Sequence, residues 1–167
     1  INNMLNFNFE LDDFQKEAVN YIEEGKSVVV CAPTGAGKTC IAEAAIQLAI
    51  QNNNRIFYTT PLKALSNQKY HDFSKKYGIE NTGLLTGDTS INRDAKIVVM
   101  TTEVFRNMLY GTTFGSVKDN LKDVKYVVLD EVHYMNDESR GTVWEEIIIY
   151  CPTNIQIIAL SATVQYS

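Results

Sequence analysis

Ala32-Pro33-Thr34-Gly35-Ala36-Gly37-Lys38-Thr39 joins an apolar run to a helical pattern. That context suits a loop that wraps phosphates. The glycines let the backbone curl until its N–H groups face phosphate oxygens, and the start of the next helix adds partial positive charge. In such a loop Lys38 reaches the β- and γ-phosphates, while the Thr39 hydroxyl ligates Mg²⁺. Pro33, Thr34, Gly35, Ala36, Gly37, Lys38, Thr39 and Cys40 are therefore the candidate ATP or ADP contacts. The usual first glycine is Ala32 here, a mild departure, because the residues nearest the phosphates come later. An ordinary strand-to-helix turn would also use glycine, but it has no need of Gly37-Lys38-Thr39.

Tyr126-Val127-Val128-Leu129-Asp130-Glu131 is an apolar run closed by two acids. Asp130 at a strand tip suits a Mg²⁺ contact, commonly through water. Glu131 is placed to orient or deprotonate an attacking water. Alone, such a run is an ordinary strand end with solvated acids. The upstream phosphate loop changes that, because it needs a carboxylate strand to hold its metal. His133 follows, and a lone histidine is usually structural. Beside these acids it is a candidate to bond toward the γ-phosphate side or the hydroxyls of Ser161-Ala162-Thr163.

Elements must bring these residues together. Strands are expected at 27–32, 55–60, 83–86, 97–100, 126–129 and 156–160, with 83–86 and 97–100 flanking a turn. Helices are expected at 38–51, 62–77, 102–110 and 142–150. In the first helix Ile41, Ala45, Leu48 and Ala49 form the apolar positions. Continuous apolar strands separated by helices indicate an α/β fold, a mainly parallel sheet flanked by helices on both faces. Ligands then sit beyond the carboxyl ends of the strands, where the motifs fall.

Length and composition agree with one packed domain: 167 residues, 45% apolar and 21% charged. The longest apolar runs, 28–32 and 147–151, are far short of the roughly 18 residues of a membrane span, so no membrane role is expected. Ile1-Asn2-Asn3 begins neither a secretory signal nor a chain with initiator Met, the pattern of a fragment of something longer. Cys31, Cys40 and Cys151 are odd in number and lack metal-ligand spacing, which fits a reducing, intracellular setting. The net charge of −5 speaks against a generic polyanion binder, yet residues 55–106 carry +3 between two segments of −4. The middle third is either a phosphate-tracking surface or a fluctuation of a few charges.

Together these segments resemble the superfamily 2 DExH-box helicases. Asp130-Glu131-Val132-His133 matches the box that names them, Ala32–Thr39 their motif I and Ser161-Ala162-Thr163 their motif III. Pro61-Leu62-Lys63-Ala64-Leu65-Ser66-Asn67-Gln68-Lys69, Thr86-Gly87-Asp88, Met100-Thr101-Thr102-Glu103 and Arg140-Gly141 with Trp144-Glu145-Glu146 are similar to the Ski-like (superkiller) branch of RNA helicases. The resemblance runs from Phe9 to Thr163. It implies a RecA-like P-loop NTPase fold, here the first RecA-like, ATP-binding domain over residues 1–167.

Further roles come with the resemblance. Gln15 would read adenine through its amide, and Phe9 would stack on the base or belong to the core. Pro61, Leu62, Lys63, Gly87, Thr101 and Thr102 would grip a nucleic-acid backbone through hydroxyls, N–H groups and helix starts, without reading bases. Thr101 or Thr102 also makes a good helix cap. Lys63 either meets phosphate or lies on the surface. Ser161 and Thr163 would couple the domain to a second RecA-like domain in cis, which supplies an arginine finger worth on the order of 10³–10⁵ in rate. Without it, these residues would bind nucleotide but hydrolyse ATP slowly. The implied partners are single-stranded RNA and RNA-degradation or maturation machinery, in the cytoplasm, nucleus or a plastid-type organelle. The other readings are a DNA helicase or translocase of the same superfamily, and an ATP-gated clamp that does not unwind.

Overall fold

The computed structural model describes residues 20–25, 27–32, 38–110, 121–131, 147, 149–152 and 154–162; for 28–32, 38, 39, 161 and 162 the description is of the backbone. In chain order the elements are β1 (Val28–Ala32), α1 (Lys38–Gln51), β2 (Arg55–Thr60), α2 (Lys63–Tyr77), a 3-10 turn (Ile79–Asn81), β3 (Thr82–Leu85), β4 (Ser90–Ile91), β5 (Ile97–Thr101), α3 (Thr102–Tyr110), β6 (Val124–Leu129) and β7 (Gln156–Ala162). They build one sheet in the order β1-β7-β6-β2-β5-β3-β4. Every neighbouring pair from β1 to β3 is parallel, and β4 alone runs antiparallel, against β3. The mainly parallel α/β sheet expected from the sequence is thus present.

The pleat divides the core into two layers, because successive strand residues point to opposite faces. Ile56, Tyr58, Val99, Tyr126, Val128, Ile158 and Leu160 pack with α1 and α2. Phe57, Val98, Met100, Val127, Leu129 and Ala159 pack with Phe105, Met108 and Leu109 of α3, and with Ile147, Cys151 and Ile155. Both faces are covered. That is why these strands read as continuous apolar runs rather than alternating ones.

Each helix has a sequence reason. Residues 40–42, 44–46, 48 and 49 of α1 are all buried, and four of these are alanines, the best helix formers. In α2, Ser66, Tyr70 and Phe73 form a buried stripe at helical spacing, with Tyr77 packed at its end. This helix stops at Gly78, whose φ of +98° is costly for any residue with a Cβ; its N–H closes on Ser74 O at 3.0 Å. In α3 the Val104 N–H is 3.4 Å from Thr101 Oγ1, so of the two candidate caps Thr101 serves.

Two expectations need correction. The helix after β2 begins at Lys63, with Leu62 as an extended N-cap at φ −123° and ψ 136°. The segments near 83–86 and 97–100 do not flank a simple turn. They become β3 and β5, parallel neighbours in register Thr82↔Ile97 to Leu85↔Met100. Parallel strands cannot be joined by a tight turn. The turn after β3 instead delivers the short β4, and the chain crosses back to β5. Of the expected helix 142–150, residues 147, 149 and 150 are helical and the remainder lies outside the described residues.

Candidate nucleotide and nucleic-acid-binding edge

The carboxyl ends of the six parallel strands share one edge of the sheet. β1 ends at Ala32, residues 33–37 lie outside the described residues, and α1 begins at Lys38 as expected. β6 delivers Asp130 two strand positions away, about 10 Å at ordinary strand spacing. That separation suits a phosphate and a cation between the start of α1 and the carboxylate. Phe9, Gln15, Pro33 to Gly37, His133 and Thr163 lie outside the described residues, as do the side chains of Lys38, Thr39 and Ser161.

Asp130 is only 9% exposed. Its backbone N–H donates to Thr59 O at 2.9 Å, and its Oδ2 accepts from the Tyr58 hydroxyl. Burial, then the adjacent Asp130 carboxylate, push the Tyr58 phenol well above its ordinary pKa, so it stays a neutral donor. Glu131 follows at φ +57°, left-handed for a residue with a Cβ. Such backbone costs of order 1–3 kcal/mol and is concentrated at functional sites. Glu131 stands just past the end of β6.

Mg²⁺ takes hard oxygen ligands, and commonly one or two carboxylates with phosphate and water completing its shell. Among the described residues there is no cluster of three or more His, Cys, Asp or Glu that could cage an ion. A single oriented carboxylate at a strand tip fits a cation held mainly by nucleotide and water. Asp130 is the residue present for that role. Cys40 is buried, and burial followed by nearby Glu43 pushes its thiol up to about 11. Its thiol therefore stays protonated and uncharged.

The nucleic-acid candidates occupy the other half of the edge. Pro61 and Leu62 lie on the turn after β2, with Leu62 exposed. Beneath it, Thr60 Oγ1 donates to Leu62 O at 2.8 Å and lies 2.8 Å from Ser66 Oγ, while Ser66 N donates to Leu62 O at 3.0 Å. Lys63 is paired with Asp88 on the segment after β3. Asp88 also accepts from Thr86 Oγ1 at 3.0 Å and Thr89 Oγ1 at 3.3 Å. Hydrogen bonds from Lys63 and then Thr86 hold the Asp88 carboxyl below its ordinary pKa. Gly87 is exposed, and a Cβ built there meets nothing within 4 Å, so its backbone is open to a ligand. Thr101 and Thr102 stand at the α3 N-terminus, and Thr102 is buried. The positions of Tyr58 and Thr60, and the pairings of Ser66 and Asp88, escaped the sequence reading. Asp88 and Ser66 sit inside recognised motifs. Tyr58 has no local signal, because an aromatic residue in a strand is ordinary.

The DEAD/DEAH box helicase family model matches residues 12–167. The chain is 57% identical over 159 residues to the DExH-box ATP-dependent RNA helicase DExH15, chloroplastic, of Arabidopsis thaliana, covering 95% of this chain and 14% of that protein. It is 53% identical over 156 residues to the antiviral helicase SKI2 of Saccharomyces cerevisiae, covering 93% of this chain and 12% of that protein. The crystal structure of the DUF1998 helicase MrfA bound to DNA and AMPPNP superposes with a TM-score of 0.71 at 25% identity, over 93% of this chain and 24% of that one. The chain thus spans under a fifth of the length of these curated relatives. With its parallel sheet, its strand-end acids and this family match, the chain has the RecA-like fold and belongs to the DEAD/DEAH box helicases.

Proposed function

We propose that this chain is the first RecA-like, ATP-binding domain of an ATP-dependent RNA helicase of the superkiller type. The observation that carries the reading is the placement of Asp130, buried and doubly held at the tip of β6, two strands from the phosphate-loop position. RNA is favoured over other strands because the relatives at more than half identity include proteins named as ATP-dependent RNA helicases.

In this reading the loop at 33–37 and the α1 N-terminus cradle the phosphates, and Lys38 neutralises the β- and γ-oxygens. Thr39 and Asp130 would hold Mg²⁺, which when bound would offset negative charge on the phosphoryl group. Glu131 orients the attacking water and takes its proton. Pro61, Leu62, Lys63, Gly87, Thr101 and Thr102 hold the strand by its phosphates, so binding is insensitive to base sequence. Ser161 and Thr163 pass the state of the nucleotide to a second RecA-like domain in cis. Cycling of that cleft moves the protein along the strand.

Lys38→Ala is expected to abolish nucleotide binding. Glu131→Gln in the whole protein should spare binding and stop hydrolysis, read by fluorescent-nucleotide titration and phosphate release. Normal turnover in Glu131→Gln would overturn the role of Glu131. A DNA strand is the second reading, favoured by the DNA-bound structural neighbour. ATPase stimulation by RNA and by DNA strands of one sequence separates the two.

A further inference from the structure

Tyr58 lies in the middle of β2 and is fully buried. A polar group there costs free energy unless it is hydrogen-bonded. Its hydroxyl donates to Asp130 Oδ2, on the neighbouring strand end. The register explains the reach. Tyr58 pairs with Val128, so Asp130 is its diagonal neighbour two residues on, on the same face, within range of a long aromatic side chain. The ring is itself held. Phe73 of α2 packs against it edge-on, with centroids 5.1 Å apart and planes at 77°. Lys69 Nζ lies 5.8 Å from the centroid. The face concerned is the one α1 covers, where the helix that starts at Lys38 and Thr39 packs into the same core cluster as Tyr58.

We propose that Tyr58 is a positioning residue for the metal–nucleotide complex: its hydrogen bond holds the Asp130 carboxylate on the α1 face, oriented to receive the cation. This rests on the assignment of Asp130 to the metal made above. Tyr58 touches neither nucleotide nor cation; it acts through Asp130. Outer partners that orient a metal-binding carboxylate characteristically govern metal affinity. A phenol that merely filled space would have no such effect.

The test compares wild type, Tyr58→Phe, Phe73→Leu and Asp130→Ala in the whole protein. AMPPNP binding is followed against Mg²⁺ concentration and again in chelator, with thermal melts alongside. Tyr58→Phe removes one oxygen and should raise the half-saturating Mg²⁺ concentration about tenfold, leaving metal-free AMPPNP affinity unchanged. Phe73→Leu keeps the Tyr58 hydroxyl while loosening its ring, so it should lower the melting temperature and move the Mg²⁺ midpoint less than Tyr58→Phe does. Two results overturn the proposal while leaving Asp130 assigned: an unchanged midpoint in Tyr58→Phe, or an equal shift in Phe73→Leu. If wild type shows no Mg²⁺ dependence and Asp130→Ala changes nothing, the assignment of Asp130 falls, and the role of Tyr58 with it.

Discussion

Lys63, the first residue of α2, and Asp88, on the segment after β3, meet above the sheet edge, both well exposed. An exposed ion pair contributes little to stability. Its consequence is placement: the Lys63 ammonium is held between the Pro61–Leu62 turn and the open Gly87 backbone, where the proposed function puts a phosphate chain. Lys63→Ala is therefore expected to lower the slope of log K against log salt for single-stranded RNA by roughly 0.7, the value of one phosphate contact. The melting temperature should not move. An unchanged slope would mean that Lys63 serves only Asp88. Lys63 was legible in the sequence as a candidate and Asp88 as part of a motif; their pairing, across 25 residues, was not, because nothing local states that the start of α2 and the segment after β3 converge. The same holds for Tyr58, whose acceptor lies 72 residues on.

The two edges of the sheet do different work. At the amino ends of the strands, Arg55 donates to Ala95 O at 3.0 Å and Arg93 O at 2.7 Å, and its guanidinium stacks over Phe57 at 5.4 Å. That edge is tied down, while the carboxyl edge presents turns and acids. On the outer flank, β3 and β4 approach closely. A Cβ on Gly83 would stand 2.2 Å from Asn92 O and 2.8 Å from Ile91 O, both backbone atoms that cannot rotate away. Gly83→Ala is expected to cost about 1–3 kcal/mol, read as a lower urea midpoint with an unchanged slope. A midpoint equal to wild type would show that β4 yields freely. Elements with a long period were readable: α1 at 38–51 and β2 at 55–60 fall where the pattern puts them. β4 was not, because two exposed residues carry no period.

At the scale of the molecule the sheet splits into two sets of strands. β1, β7 and β6 carry the nucleotide candidates, and β2, β5 and β3 the nucleic-acid candidates. The second set belongs to the segment 55–106, the one with net positive charge, which suits a polyanion. The seam between the sets is the β6–β2 pairing, and Asp130 is joined across it to both Thr59 and Tyr58. Fold class and the strand-end location of the motifs follow from the sequence pattern. Strand order does not, because β2 and β6 are distant in the chain and their pairing is decided by crossovers that no local signal specifies.

The most direct measurement is a thermal melt of the folded chain titrated with ADP and Mg²⁺, beside Lys38→Ala. At a hundredfold excess over Kd, binding adds about 2.7 kcal/mol to the native state. For a domain of this size that is a rise of roughly 5–10 °C, and Lys38→Ala should show none. A transition that stays put at millimolar Mg·ADP, in a sample with intact circular dichroism, would contradict a nucleotide site at these strand ends.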